Sequence, residues 1–286
     1  MSKTPTELKD TDALPINNTP LRRYLTLLAL KVTARFYRWD GPCVPLSSRI
    51  IVKTGESIGL TEAATMAFVA ARTSIPVPRV HCSFVHKSRA YIVMERIRGQ
   101  TLADAWPTLS ASELDGILTQ LRDMLKELRA LPAPGIAVES CVGASLRDSR
   151  IPRSETRFGP FPSIRAFHHW LREGLQPEEY PERVNDEDWV DIKRMVAMQD
   201  EDKEWGPPVF THGDLNPFNI IVRDGKIVGI IDWAFSGWYP HYWEYTSVWL
   251  GNKTRGAWQK LVPKFIEPCP EELEMETIRQ RWWGDF

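Results

Sequence analysis

The chain has 286 residues, of which 43% are hydrophobic and 26% charged, with a formal net charge of −1. That composition belongs to a globular protein large enough for one big domain or two lobes around a cleft. So balanced a charge creates no overall field to hold nucleic acid or an anionic membrane, although a local patch stays open. Cys43, Cys82, Cys141 and Cys269 lie far apart without zinc-like spacing and read as reduced thiols.

Residues 1–20 are polar, contain three prolines and read as a loose tail without the apolar centre of a signal peptide. The next apolar stretch, Tyr24 to Val32, is too short to span a bilayer and is flanked by Arg22, Arg23, Lys31 and Arg35. Leu21, Leu25, Leu28, Val32 and Phe36 follow helical spacing instead. A cytoplasmic protein without membrane or nucleic-acid partners is therefore expected.

Gly41-Pro42 stops that helix, and Arg49 to Lys53 has the β-branched content of a strand. Thr61 is placed to cap a helix running to about Thr73. Ile75-Pro76-Val77-Pro78 makes a rigid break. Two strands follow, Arg79 to Phe84 and Tyr91 to Met94, with Lys87-Ser88 between them.

After Gly99 helical patterns take over. Ser110 and Glu113 form a capping-box signature ahead of a long apolar repeat ending near Pro132. Residues 132–163, rich in Pro, Gly, Ser and Arg, read as a surface excursion. Arg147, Arg150, Arg153, Arg157 and Arg165 are read as solvated charges, with contact to an anionic substrate as the lesser alternative. Helices are expected around Phe167 and Trp170, around Trp189 to Val196, and over His241 to Leu250. The aromatic run from Trp233 to Trp243 is read as packing, with one or two rings available to line a pocket. His81, His86, His168, His169 and His241 show no metal spacing.

The chemistry concentrates near residue 220. Ile220 to Arg223 and Lys226 to Ile231 flank Asp224-Gly225, a strong two-residue hairpin signal. An ideal hairpin pairs Arg223 with Lys226 and hence Asn219 with Ile230, so Asn219 and Asp232 leave its open end together. Asp214 lies in the turn five residues earlier. Two acids and an amide of this kind suit Mg²⁺, which completes its shell with phosphate oxygens and water.

His212-Gly213-Asp214-Leu215-Asn216-Pro217-Phe218-Asn219 resembles the catalytic loop of the aminoglycoside phosphotransferase and choline-kinase-like family. Ile230-Ile231-Asp232-Trp233 is similar to its metal-binding segment. Gly237-Trp238-Tyr239-Pro240 and Tyr242-Trp243-Glu244-Tyr245 resemble the fungal branch. The resemblance runs from about residue 45 to about residue 260. It implies an α+β, bilobal, protein-kinase-like fold, with a β-rich N-terminal lobe over residues 21–98 and a larger, mostly helical C-terminal lobe over residues 99–286.

It further implies an ATP- and Mg²⁺-dependent kinase acting on a hydroxyl of a small molecule. Asp214 would orient that hydroxyl and accept its proton, while Asn219 and Asp232 would hold the metal. Lys53 would contact the α- and β-phosphates, and Glu62 would fix Lys53. The backbone of Glu95 and Ile97 would bond the adenine edge, and His212 would support the loop. The turn is His-Gly-Asp rather than His-Arg-Asp, and no DFG or APE-like segment follows, which disfavours a protein kinase. No glycine-rich loop precedes Lys53, and Ala234 stands where many relatives carry an acid. The competing reading is thus a repurposed, non-catalytic member of the fold that binds a nucleotide or another small ligand.

Overall fold

The computed structural model describes residues 14–33, 41–151, 157–176, 186–200, 204–251 and 256–284. Most of the expected tail (residues 1–13), Phe36 and Arg153 lie outside the described residues. In chain order the elements are α1 (Pro20–Thr33), β1 (Cys43–Pro45), β2 (Ile50–Gly55), α2 (Thr61–Arg72), β3 (Val80–His86), β4 (Arg89–Glu95), β5 (Gln100–Thr101), α3 (Leu102–Ala105) and α4 (Ala111–Arg129). Then come α5 (Ile164–Leu171), α6 (Asp186–Asp200), β6 (Val209–Thr211), β7 (Ile220–Arg223), β8 (Lys226–Ile230), β9 (Gly237–Tyr239), α7 (Trp243–Gly251), α8 (Gly256–Gln259) and α9 (Pro270–Trp283). Among the described residues no helix is long and apolar enough to cross a membrane.

The chain divides into two compact units, residues 1–128 with 217–234, and residues 129–216 with 235–286. In the first unit an antiparallel sheet has the order β1-β2-β4-β3. Its β3–β4 turn places Lys87 and Ser88 at positive φ, the conformation a two-residue hairpin requires. One sheet face packs Val52, Phe84, Tyr91 and Val93 together with Leu27 and Leu30 of α1. Period-two alternation sends Lys53, next to Val52, the other way.

Helix α2 begins at Thr61, but Thr61 does not cap it. The cap position is Leu60, in a helical conformation and without a side-chain hydrogen bond. The capping box ahead of α4 is present. The Ser110 N–H donates to Glu113 Oε2 (2.8 Å), and the Glu113 N–H donates to Ser110 Oγ (3.3 Å). A second sheet in this unit has the order β5-β7-β8.

The second unit is built around a core that includes Phe158, Phe167, Trp189, Met195, Tyr239, Trp243 and Met275. Strands β6 and β9 pair antiparallel, Val209 opposite Tyr239. The described part of residues 132–163 corrects the sequence reading. Val138, Leu146 and Phe158 are buried, and bridges join Val138 to Phe161 and Leu146 to Phe158. The stretch has no strand or helix period because it contributes single residues to the core. Arg150 is likewise buried, not solvated. Its guanidinium donates to both oxygens of Asp148 (3.1 and 2.9 Å) and lies 4.1 Å from the centre of the Trp243 ring.

Candidate active site

Within the first unit, Lys53 on β2 binds two carboxylates. Its Nζ donates to Glu62 Oε1 and to Asp232 Oδ1, each at 2.8 Å. Glu62 lies in the first turn of α2, facing the sheet, and only 3% of its side chain is exposed. Burial works against the charged Lys53. The combined attraction of, and hydrogen bonds to, Glu62 and Asp232 outweigh it and hold the ammonium well above its ordinary range.

The hairpin that delivers Asp232 differs by one residue from the ideal. Arg223 pairs with Lys226 as expected, but the register shifts between Ile221 and Val222, so that Ile220, not Asn219, faces Ile230. Between Ile227, opposite Val222, and Gly229, opposite Ile221, Val228 is an extra residue, a β-bulge. The bulge falls beside a crowded point. A Cβ on Gly229 would lie 2.3 Å from Ile97 Cδ1. The shift brings the Asn219 carbonyl to accept the Ile231 N–H at 2.9 Å, directly before Asp232.

Asp232 is in the left-handed region, φ 63°, which Asp tolerates better than most residues. The Trp233 indole, nearly fully buried, donates to the Ile230 carbonyl at 2.9 Å and anchors the backbone on its far side. Asp232 keeps 42% of its side chain exposed, whereas Asn219 is buried. A carboxylate open to solvent and an amide oxygen at the same hairpin end are hard oxygen donors that fit Mg²⁺. Glu95 ends β4, and its N–H donates to the Arg79 carbonyl (2.9 Å); Ile97 follows in the linker toward β5.

The second unit carries Asp214. Gly213 before it has φ 85°, and a Cβ there would stand 2.5 Å from the Phe235 carbonyl oxygen, so only glycine fits. The Asp214 N–H donates to His212 Nδ1 (3.2 Å), and Asn216 Nδ2 donates to Asp214 Oδ1 (3.0 Å). The loop is held from below by Glu244 on α7. Glu244 Oε2 accepts the His212 N–H at 2.6 Å, and Oε1 accepts the Gly213 N–H at 3.3 Å. Ser236 Oγ donates to the His212 carbonyl (2.9 Å).

Sequence reasoning missed Glu244, Ser236 and Asn216 as groups that hold this loop. Asn216 was open to local reasoning, since an Asn two residues after an Asp in a turn commonly bonds back. Glu244 carried no local signal.

Burial pushes the Glu244 carboxyl up to about 7, while the His212 and Gly213 N–H groups pull the other way. A buried acid of this kind binds its proton more tightly folded than unfolded. Its contribution to stability therefore declines as pH rises from about 4.5 to about 7, and is level above. His168 acts in the opposite direction. Burial lowers it to about 3, so its contribution is lost as pH falls below 6.5. Urea denaturation of wild type and Glu244→Gln at pH 5 and pH 7.5 separates the two. His168 is common to both proteins, and the wild type is expected to lose roughly 2 kcal/mol relative to the variant across that interval. Parallel behaviour of the two proteins would mean that Glu244 does not titrate in this range.

Residues 56–267 match a family model described as the phosphotransferase enzyme family. Two subtelomeric hrmA-associated cluster proteins, from two strains of Aspergillus fumigatus, are 32% identical to the chain over 72 residues. That stretch is 24% of this chain and 14% of the length of those relatives. Among solved structures, the aminoglycoside phosphotransferase APH(4)-Ia has a TM-score of 0.60 at 14% identity, over 90% of this chain and 88% of that one. A thermostable mutant of the same enzyme, in ternary complex with ADP and hygromycin B, also gives 0.60 at 14% identity, covering 88% of each chain. APH(3'')-Id from Streptomyces rimosus, in complex with ADP and streptomycin, gives 0.51 at 17% identity over 92% of this chain and 98% of that one. These likenesses carry the fold, the α+β kinase-like arrangement expected from the sequence, and the family match covers well over half the chain: it is a member of the phosphotransferase enzyme family.

Proposed function

We propose that the protein is an ATP- and Mg²⁺-dependent kinase that moves the γ-phosphate onto a hydroxyl of a small molecule. The observation that carries the reading is the buried Lys53 ammonium held by Glu62 and Asp232 at 2.8 Å each. A lysine fixed so closely to a buried acid is a pre-positioned phosphate ligand. Its second partner is the solvent-open carboxylate best suited to a metal. Complexes of the structural relatives with ADP support a nucleotide ligand of the same kind.

In this reading Asn219 and Asp232 hold Mg²⁺, which neutralises phosphate oxygens. Asp214 orients the acceptor hydroxyl and takes its proton. The backbone of Glu95 and Ile97 meets the adenine edge, and Glu62 keeps Lys53 in place. Phosphoryl transfer asks for little beyond positioning and charge stabilisation, so this set suffices.

One observation favours the alternative of a non-catalytic, ligand-binding member of the fold. The β1–β2 connection is a tight turn without glycine. Ser47 Oγ accepts the N–H groups of Arg49 and Ile50 (3.1 Å each), which ties up donors that a glycine-rich loop would offer to phosphate.

Calorimetric titration with ATP, with and without Mg²⁺, decides between them. Magnesium-dependent binding that Asp232→Ala abolishes is the expected result, and it justifies screening small alcohols for ADP release. Absence of nucleotide binding under every condition overturns the kinase reading.

A further inference from the structure

Helix α1 buries one face and exposes another that is equally apolar. Thr26, Leu27 and Leu30 turn toward the sheet. Leu21, Tyr24, Leu25, Leu28 and Val32 are 66, 63, 51, 43 and 55% exposed. Their spacing of three, four, seven and eleven residues from Leu21 places all five on one stripe. Scattered exposed leucines need no explanation, but a continuous stripe on one helix does.

A second feature of the same unit lies beside it. A cavity of about 540 Å³ is lined by Arg49, Arg79, Arg96, Arg98 and Arg223, and Glu95 is the one carboxylate in its lining. All five arginines are exposed. The contacts of their guanidinium groups do little to offset this charge. Arg96 donates to the Ser47 carbonyl (3.5 Å) and Arg223 to the Arg98 carbonyl (3.3 Å), while Asp224 lies 4.0 Å from Arg223.

The stripe and the arginine cavity are continuous. Leu25 and Arg22 line an adjoining cavity of about 400 Å³, which shares Ile50, Arg79 and His81 with the first. The net charge of −1 thus conceals a concentrated basic, apolar surface.

We propose that α1 and the arginine cavity together dock the protein on an anionic phospholipid surface. The apolar stripe enters the interface, and the guanidinium groups grip headgroup phosphates. An apolar helix face rimmed by basic residues has the chemistry of an interfacial, not a spanning, membrane element. Planar guanidinium forks match phosphate oxygens in pairs.

A second copy of the chain fits less well, since packing it across this surface would bring two basic rims together.

Co-sedimentation of the full chain with vesicles tests the proposal. One set is phosphatidylcholine alone; the other contains phosphatidylserine and a phosphoinositide. The protein is expected to sediment with the anionic vesicles and to remain in solution with the neutral ones, with binding that weakens as salt is added. Leu25→Asp/Leu28→Asp and Arg49→Glu/Arg79→Glu are each expected to lower vesicle affinity at least about tenfold. Unchanged circular dichroism and an unchanged urea-denaturation midpoint would show that both variants remain folded. Lipid discrimination and salt dependence of the unmodified protein test the charge argument without any substitution. Equal binding to both vesicle types, no sedimentation, or folded variants that bind undiminished would each overturn the proposal. So would a dimer in sedimentation velocity that Leu25→Asp/Leu28→Asp breaks while vesicles are ignored, since a second copy would then cover the stripe.

Discussion

Asp214→Asn is expected to fold like the parent protein and to lose phosphate transfer by about 10²- to 10⁴-fold, the range of a positioned acid–base group. The substitution keeps size and shape. The Asp214 N–H still donates to His212 Nδ1, and the amide oxygen still accepts from Asn216 if it takes the place of Oδ1. The glycine-specific turn at Gly213 and the Glu244 support beneath it are unchanged. What disappears is the group proposed to take the proton of the acceptor hydroxyl. ATP affinity, measured by calorimetry, should therefore stay within a few-fold of wild type, while ADP release with the alcohol that emerges from screening collapses. Transfer at an undiminished rate would remove Asp214 from the mechanism and leave the rest of the proposed site standing.

The features legible in the sequence were those set by neighbours along the chain. Ser110 and Glu113 announce α4 because both halves of a capping box lie within four residues. Asp224-Gly225 announces the hairpin because both residues must take positive φ. The run from His212 to Asn219 was legible for the same reason, and it pointed to the family.

What escaped depends on contacts distant in sequence. The one-residue shift that brings Asn219 against Ile231 comes from a bulge beside the point where Gly229 meets Ile97, 132 positions earlier in the numbering. Glu244 reaches His212 across 32 residues and looks like any helical acid in the sequence. Val138, Leu146 and Phe158 enter the core singly from a stretch with no period to betray them. Helical spacing correctly placed Leu21, Leu25, Leu28 and Val32 on one face. Spacing alone does not tell whether that face is covered, and here it is exposed.

The largest stability effect is expected at Lys53. Lys53→Met keeps much of the aliphatic stem but takes the cation away from Glu62, whose side chain is 3% exposed. Removing one partner of a buried ion pair typically costs about 3–5 kcal/mol, because the remaining charge stays desolvated. Asp232 adds little to that cost, since at 42% exposure water replaces most of what Lys53 supplied. A second substitution should therefore rescue the first. Lys53→Met/Glu62→Leu removes both charges of the buried pair and should recover most of the lost stability in a urea titration, a strongly non-additive cycle. The same double variant should still fail to bind ATP with wild-type affinity, because the proposed phosphate ligand is gone. Recovery of folding without recovery of nucleotide binding would separate the two roles of Lys53, holding α2 to the sheet and meeting phosphate. Recovery of both would mean that the lysine serves the fold alone. Additive losses would mean that the Lys53–Glu62 contact contributes little to either.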